Sequence, residues 1–146
     1  MKVKEDIITL GEQYILDNGT VINRYSHIVA GAEIGENSMI GQGCYVASCA
    51  IIGNNVKIQN HNNLWNGVTI EDNVFIGPRC CLTNDHNPSK ENPNYPDKTL
   101  IKKGATLGTN VTVVAPCIIG ECSMIGAASL VLRDIEDNER VNGKIK

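Results

Sequence analysis

Residues 52–82 read IGNNVKIQNHNNLWNGVTIEDNVFIGPRCCL, and every sixth position of this stretch is a branched aliphatic residue. The same spacing precedes the stretch at Ile28, Ile34, Ile40 and Val46, and it resumes after a gap at Ile101, Leu107, Val113, Ile119, Ile125 and Val131. A helix repeats every 3.6 residues and a strand every two, so a period of six indicates short strands and turns that wind around a prism. We therefore predict an all-β hexapeptide-repeat solenoid in which three repeats of six make one coil.

The composition is consistent with a core made of this aliphatic column. The chain has 146 residues, enough for a single domain, but only one Trp and one Phe. A stacked solenoid does not need aromatic residues, because each coil packs like side chains onto like side chains of its neighbours. The six cysteines fit the same pattern, since Cys44, Cys80 and Cys117 each follow a core aliphatic by four positions, where small side chains are favoured. We expect all six to be free thiols.

Charge and hydropathy make two classes of partner improbable. The formal net charge is −3 and no basic cluster exceeds Lys102-Lys103, which gives no footprint for nucleic acid. The N-terminus lacks the order of residues found in a signal peptide, and no apolar run is long enough to span a bilayer. We expect a cytoplasmic protein that binds neither nucleic acid nor membrane.

Interruptions of the period divide this single domain into segments. The interval from Leu82 to Ile101 is not a multiple of six, and the polar sequence between them contains Pro88, Pro93 and Pro96, so it must leave the prism as a stiff loop. Long loops in compact domains are more often functional than idle. The predicted segments are an N-terminal cap (1–20), coils (21–82), a loop (83–100), further coils (101–133) and a tail (134–146).

Polar residues at the base of this loop are the first candidates for a binding site. Asn84 follows Asn66 by three repeats, which is one full coil, so the two lie one above the other on the same edge of the prism, and Asp85 and His86 follow directly. Asn62 occupies an inward position, where it either makes internal hydrogen bonds or faces a symmetry axis. Trp65 is either a packing anchor at a subunit contact or a platform for a ligand.

The histidines do not form a predicted metal site. A zinc site of the kind found in β-helical carbonic anhydrases needs three imidazoles that converge on one ion. The intervals between His27, His61 and His86 are not multiples of the coil length, so the three occupy different angular positions on the prism. We expect no metal.

Three longer motifs resemble a known family. LWNGVTIEDNVFIGP with the following LTNDHNPSK, then IKKGATLGTNVTV and IGECSMIGAASLV, resemble the nucleotide-sugar N-acetyltransferases that act on 3-amino sugars, over roughly residues 26–133. The resemblance implies a left-handed parallel β-helix that forms homotrimers. It also implies acetyl-CoA as co-substrate, bound in a groove between subunits beside a nucleotide-linked amino sugar.

The resemblance also assigns residue roles. Asn84 and Asp85 would contact the sugar near its amino group, with Asn66 and Trp65 beside them, while the departing CoA sulfur takes the proton. Cofactor contacts would come from Gly104, Ala105, Gly126 and Ala127 along the pantetheine arm. Lys144 or Lys146 would partly replace the usual basic ending, which the sequence VNGKIK shortens. Asn66 replaces the family's usual carboxylate, and a neutral amide favours a neutral or hydroxyl-bearing acceptor.

Two alternatives remain open from the sequence. His86 precedes Asn87-Pro88 and is similar to the catalytic histidine of the sugar and antibiotic O-acetyltransferases of the same superfamily, where it acts as general base. The chain could instead be a non-catalytic β-helix that serves as a scaffold. The N-acetyltransferase hypothesis predicts that the acetylated sugar is used in the pathway to a surface polysaccharide.

Overall fold

The computed structural model describes residues 1–91 and 96–146, so the loop residue Pro93 lies outside the described residues. These residues form short strands throughout. In chain order the strands are β1 (Ile7–Ile8), β2 (Tyr14–Ile15), β3 (Val21–Ile22), β4 (His27–Ile28), β5 (Glu33–Ile34), β6 (Met39–Ile40), β7 (Tyr45–Val46), β8 (Ile51–Ile52), β9 (Lys57–Ile58), β10 (Asn63–Leu64), β11 (Val68–Ile70), β12 (Phe75–Ile76), β13 (Cys81–Leu82), β14 (Thr99–Ile101), β15 (Thr106–Leu107), β16 (Thr112–Val113), β17 (Cys117–Ile119), β18 (Met124–Ile125), β19 (Leu130–Val131), β20 (Arg140–Val141) and β21 (Lys144–Ile145).

The strands form the three faces of a prism of about seven turns. Sheet I has the order β2-β3-β6-β9-β12-β15-β18-β20, sheet II has β1-β4-β7-β10-β13-β16-β19-β21, and sheet III has β5-β8-β11-β14-β17. The chain passes from sheet I to II to III in each coil, and strands in successive coils pair in parallel with a register of one coil length, as in Ile40↔Ile58 and Val46↔Leu64. The prediction of a hexapeptide-repeat solenoid is confirmed.

The core is one aliphatic residue from each face of each coil. The residues at the six-residue period point inward, and those from Ile22 to Val131 are at most 2% exposed. Each stacks on its counterpart in the coils above and below, at the spacing of neighbouring strands. Because this stacking sets the register between coils, it also determines which residues lie one above the other at each corner of the prism.

Two of the corners need one left-handed residue in every coil. At the corner from sheet III to sheet I these residues are Gly19, Asn37, Asn55, Asn73, Gly104, Cys122 and Asn138, and at the corner from sheet I to sheet II they are Tyr25, Gly43, His61, Arg79, Asn110, Ala128 and Gly143. Glycine and asparagine adopt positive φ at the lowest cost, which explains every residue of the first corner except Cys122. The second corner also carries Tyr25, His61 and Arg79 in the same strained conformation.

Small polar side chains link the coils inside the corner between sheets I and II. Ser26 Oγ accepts a hydrogen bond from the backbone N–H of Cys44 in the next coil, and Asn62 Oδ1 accepts one from Cys80 N at 2.9 Å. Asn62 Nδ2 also donates to Gly77 O at 3.0 Å, and Asn62 is only 1% exposed. Asn62 is thus an internal hydrogen-bonding residue, one of the two interpretations that the sequence left open.

The cysteines follow the prediction. Cys44, Cys80 and Cys117 are buried, the other three are exposed, and all six are free thiols. Burial raises the pKa of the Cys44 and Cys80 thiols and raises the pKa of Cys117 to about 12. The buried three therefore act as small apolar residues.

Both ends of the chain and the loop differ in detail from the predicted segments. In the cap, β1 and β2 run antiparallel to β4 and β3. The loop ends before residue 99, because Thr99 already belongs to β14 and pairs with Val68. Residues 134–146 continue the solenoid rather than leave it, since β20 and β21 pair in parallel with β18 and β19.

Candidate functional site

The loop leaves and re-enters the prism at the corner between sheets II and III. Val68 and Thr99 are register partners in adjacent coils, although the chain between them is much longer than one coil. Thr83 holds the exit, because its Oγ1 accepts the Ala115 N–H at 2.9 Å and its carbonyl accepts the Thr99 hydroxyl at 3.4 Å. The insertion therefore begins and ends at one fixed point of the fold.

Asn66 and Asn84 lie one above the other at this corner. The Asn84 side-chain amide donates to the Asn66 carbonyl at 3.0 Å, and Asn66 Oδ1 accepts the Cys49 N–H at 3.2 Å. This contact confirms the stacking that their separation by one coil predicted. The Asn66 and Asn84 side chains and the Cys49 N–H, from three successive coils, thus form one polar edge beneath the loop.

Gly67 makes room for the returning end of the loop. It has a φ of +91°, and a Cβ at this position would overlap the carbonyl oxygen of Asp97. Two backbone hydrogen bonds hold the return, from Thr99 N to Gly67 O at 3.0 Å and from Asp97 N to Asn84 O at 2.7 Å. Both ends of the loop are consequently tied to the polar edge.

His86 and Asp97 form a hydrogen-bonded pair across the base of the loop. One carboxylate oxygen of Asp97 accepts the His86 backbone N–H at 2.8 Å and lies 2.7 Å from His86 Nδ1. These two bonds from His86 lower the pKa of the Asp97 carboxyl. An ionised carboxylate can only accept hydrogen bonds, so its contact with Nδ1 selects the neutral His86 tautomer that carries its proton on Nδ1. The lone pair is then on Nε2 of a side chain that is 55% exposed.

Asp85 stabilises the turn that begins the loop. Its Oδ1 accepts the Asn87 N–H at 2.9 Å, a local bond that aspartate makes in many turns. An ionised carboxylate has about four acceptor positions on its two oxygens, so this bond is compatible with a second contact to a ligand. Asn84, Asp85 and His86, which were all predicted site residues, thus lie together at the root of the loop.

Trp65 lies next to this edge, on the outer surface of sheet II. Its side chain is 39% exposed, and its ring contacts Tyr45 of the preceding coil with a centroid separation of 5.3 Å. Asn66 contacts Asn84 at the root of the loop, and Trp65 directly precedes Asn66 in the chain.

The residues predicted to contact the cofactor lie elsewhere on the prism. Gly104 is at the corner between sheets III and I, Gly126 and Ala127 follow β18 at the corner between sheets I and II, and Lys144 is in β21 of sheet II. Ala105 is fully buried, its N–H donates to Lys102 O and its carbonyl accepts Phe75 N. Within one chain, Ala105 therefore has no exposed group that a cofactor could contact.

The three histidines are separated in the fold. His27 is in β4, His61 is at the corner between sheets I and II, and His86 is in the loop. No group of three His, Cys, Asp or Glu side chains suited to a metal ion occurs within residues 1–91 and 96–146. The same residues contain no helix long and apolar enough to cross a membrane.

Sequence reasoning missed Asp97, Gly67 and Tyr45. Asp97 follows Pro96 at the end of the loop, and its partner His86 lies at the other end of a segment without a period. Gly67 was visible as the residue after Asn66, and a close approach of backbone is a common reason for glycine. Tyr45 stands one coil before Asn63, so the coil length could have placed it beside Trp65.

Comparisons with known proteins agree with the fold. Residues 15–48 and 49–84 match the profile of the family described as Bacterial transferase hexapeptide (six repeats). Bifunctional protein GlmU of Thermosipho africanus is 29% identical over 135 residues, which are 92% of this chain and 28% of that protein. The chain thus spans little more than a quarter of that relative's length.

Solved structures with the same architecture include two acetyltransferases. A mutant of perosamine N-acetyltransferase from Caulobacter crescentus, in complex with CoA and GDP-perosamine, has a TM-score of 0.73 and 19% identity, covering 85% of this chain and 53% of that one. The acetyltransferase domain of PglB from Neisseria gonorrhoeae, in complex with acetyl coenzyme A, has a TM-score of 0.72 and 18% identity, covering 85% and 54%. At these identities the likeness shows the fold.

Proposed function

This chain is a hexapeptide-repeat β-helix protein, and from that premise we propose that it is an acetyl-CoA-dependent N-acetyltransferase. Its proposed acceptor is the amino group of a nucleotide-linked 3-amino-3,6-dideoxyhexose or a closely related amino sugar, used for a surface polysaccharide. The observation that carries the proposal is the polar cluster at the root of the loop, where Asn84 bonds to Asn66, Asp85 follows Asn84, and His86 pairs with Asp97. The similar solved structures, which contain CoA together with GDP-perosamine in one case and acetyl coenzyme A in the other, support it.

The chemistry requires mainly positioning. The amine nitrogen attacks the thioester carbonyl, the C–N bond forms, the C–S bond breaks, and CoA leaves as a thiol after its sulfur takes the proton. A neutral amine is already a nucleophile, so holding it at attack distance supplies most of the acceleration. Asp85 would orient the amine by accepting its hydrogen bond, and Asn84 would fix the amine or a neighbouring hydroxyl.

The His86–Asp97 pair favours a second candidate, transfer to a hydroxyl group. A hydroxyl is a weak nucleophile at neutral pH and needs a base, and a histidine whose Nδ1 is held by a carboxylate presents Nε2 for that proton. In this reaction His86 would remove the hydroxyl proton as the C–O bond forms and return it to the departing sulfur. Asn66, a neutral amide, suits either acceptor.

A complete pocket requires more than one subunit. In one chain the polar cluster is at the corner between sheets II and III, whereas Gly104, Gly126 and Ala127 are at the other two corners. A groove that joins these groups forms only when the corner of one prism faces that of another. We therefore propose a homotrimer, which sedimentation would test, and a stable and active monomer would contradict it.

The direct test measures release of CoA thiol from acetyl-CoA with a panel of acceptors. We expect release with dTDP- or UDP-linked amino sugars and little with simple hydroxyl acceptors, whereas the reverse would support O-acetylation. A non-catalytic scaffold is tested by CoA alone. A ligand at one hundred times its Kd stabilises a protein by about 2.7 kcal/mol, and a scaffold would show no such shift in melting temperature.

A further inference from the structure

An aromatic ladder, which we define as His27, Tyr45 and Trp65, runs across three successive coils on the outer surface of sheet II. The ring centroids of His27 and Tyr45 are 5.6 Å apart in an edge-to-face arrangement, and those of Tyr45 and Trp65 are 5.3 Å apart with planes inclined at 47°. These distances are typical of aromatic pairs that attract each other. The three rings therefore form one contacting group.

The ladder has no part in the core. The inward residues of the same strands are Ile28, Val46 and Leu64, which are at most 1% exposed, and the column is complete without the rings. Aromatic residues are only 4% of the chain, yet its single Trp is on the outside in contact with a Tyr. Trp65 keeps 39% of its surface exposed, so a ring system suited to stacking faces outward.

A carboxylate anchors the ladder at its His27 end, and a polar residue follows it at its Trp65 end. Asp6 Oδ2 lies 2.8 Å from His27 Nε2, and Asp6 Oδ1 accepts the Ala30 N–H, which anchors the His27 end. At the Trp65 end the next residue is Asn66, whose carbonyl accepts the hydrogen bond from Asn84. The rings thus lead from the N-terminal cap to the root of the loop.

An exposed amide stands beside the rings. Asn63 is the register partner of Tyr45 in the neighbouring coil and is two residues from Trp65, with its side chain on the same outer surface. A primary amide offers one acceptor and two donors in a plane, which matches the hydrogen-bonding edge of a nucleobase. An aromatic face with an amide at its border is how proteins bind a flat, neutral, heteroaromatic ring.

We propose that Tyr45 and Trp65 are the stacking platform for the nucleobase of the nucleotide-linked acceptor, with Asn63 contacting the edge of the base. This inference rests on the proposed function and deepens it by placing the nucleotide end of the substrate on sheet II. The sugar would then extend past Asn66 toward Asn84, about one coil spacing of 4.8 Å further along the prism.

The single tryptophan makes the platform directly observable. Titration with dTDP, UDP or GDP, with excitation at the red edge of the tryptophan band, should give saturable quenching of Trp65 fluorescence. Ribose 5-phosphate with pyrophosphate should give none. By calorimetry, Tyr45→Ala and Trp65→Ala should each weaken binding of the preferred nucleotide by about fivefold or more, because base stacking on one aromatic side chain is worth at least this much.

Matched variants separate stacking from folding. Tyr45→Phe keeps the ring and should bind nearly as well as the natural chain, and Tyr14→Ala, which removes an exposed ring of the N-terminal cap, should have no effect. Asn63→Ala should reduce the difference in affinity among dTDP, UDP and GDP more than it reduces the strongest affinity.

Three results would overturn the inference. Acyl transfer to a nucleotide-linked sugar with unchanged Trp65 fluorescence would leave the proposed function standing and remove the platform. A change of oligomeric state in Tyr45→Ala would show that the rings belong to a subunit contact. Absence of both nucleotide binding and acyl transfer with every nucleotide-linked acceptor would remove this inference together with the proposed function.

Discussion

The continuous coils (21–82) and the described parts of the loop (83–91 and 96–98) differ in the hydrogen bonds that hold their backbone. In the coils, backbone groups bond to backbone groups in the next coil, as Lys57 N does to Val74 O, and side chains only support that pattern. In the loop, side chains take a larger part, as the Asp97 carboxylate does for His86 N and the Asp85 carboxylate for Asn87 N, beside the backbone bond from Asp97 N to Asn84 O. The coils thus determine where the ends of the loop are placed, while the loop carries the polar side chains Asp85, His86 and Asp97.

Deletion of a core side chain should destabilise the coils most. Ile58 is fully buried in the aliphatic column, so Ile58→Ala should lower the free energy of unfolding by about 2–5 kcal/mol, from lost burial and the cavity left behind. Urea unfolding measures this change. Lys57→Ala, at the exposed neighbouring position, should change it by less than about 0.5 kcal/mol. Equal effects of the two variants would contradict the assignment of the column as the core.

Changes at the loop root should affect activity rather than stability. Asn84→Ala and Asp85→Ala should each lower kcat/KM by about 100-fold or more, on the order of 3 kcal/mol of lost positioning in the transition state. Lys90→Ala, an exposed change in the same loop, should leave kcat/KM unchanged. If His86→Ala does comparable damage and the Asn84 and Asp85 variants do not, transfer to a hydroxyl with His86 as base is the better account.

The inner polar column should give a smaller loss of stability. Asn62→Ala leaves the buried Cys80 N–H without its acceptor and removes the amide donor to the Gly77 and Gln59 carbonyls, which should cost about 1–3 kcal/mol. Asn62→Ser should lose less, because Ser26 makes the equivalent two bonds at its own place in the column. Thermal or urea unfolding of the two variants tests the order. A serine variant less stable than the alanine variant would contradict the role of the column.

Acid should weaken the contact between Asp97 and His86 at the base of the loop. The folded state lowers the pKa of Asp97 below its usual 3.8. The stabilisation that the ionised Asp97 carboxylate gives the folded state is therefore fully present above pH 3.8 and is lost as pH falls through the lowered value. The His86 backbone N–H donates a hydrogen bond to the Asp97 carboxylate, so this N–H should lose its protection from hydrogen exchange in that pH range. Asp97→Asn should abolish this pH dependence. The same profile in the variant would show that another group anchors the loop.

The sequence predicted what the period controls. It placed the core column, the free cysteines, and the contact between Asn84 and Asn66, because each depends only on counting repeats and coils. Prediction from the sequence failed where the number of residues in a coil changes. The final coil pairs Val141 with Ile125 and Ile145 with Val131, at intervals shorter than the regular coil, so its strands looked like an irregular tail.

The loop and the outer surface were harder to predict for a different reason. The Asp97–His86 pair depends on the path of a non-periodic segment, which local sequence does not determine. Tyr45 and Trp65 are at outward positions, where the repeat requires no particular residue type, so only their contact distinguishes them from ordinary surface residues.

The return of the insertion to its point of departure has a consequence for how such chains diversify. Because β14 continues the register of β11 and pairs onward with β17, the number of residues between Thr83 and Asp97 is not constrained by the coils on either side. Exchange of this segment between related genes would change the side chains at the root of the loop and leave the pairing of the coils unchanged. A combinatorial library confined to this segment would test which of its side chains the proposed activity needs.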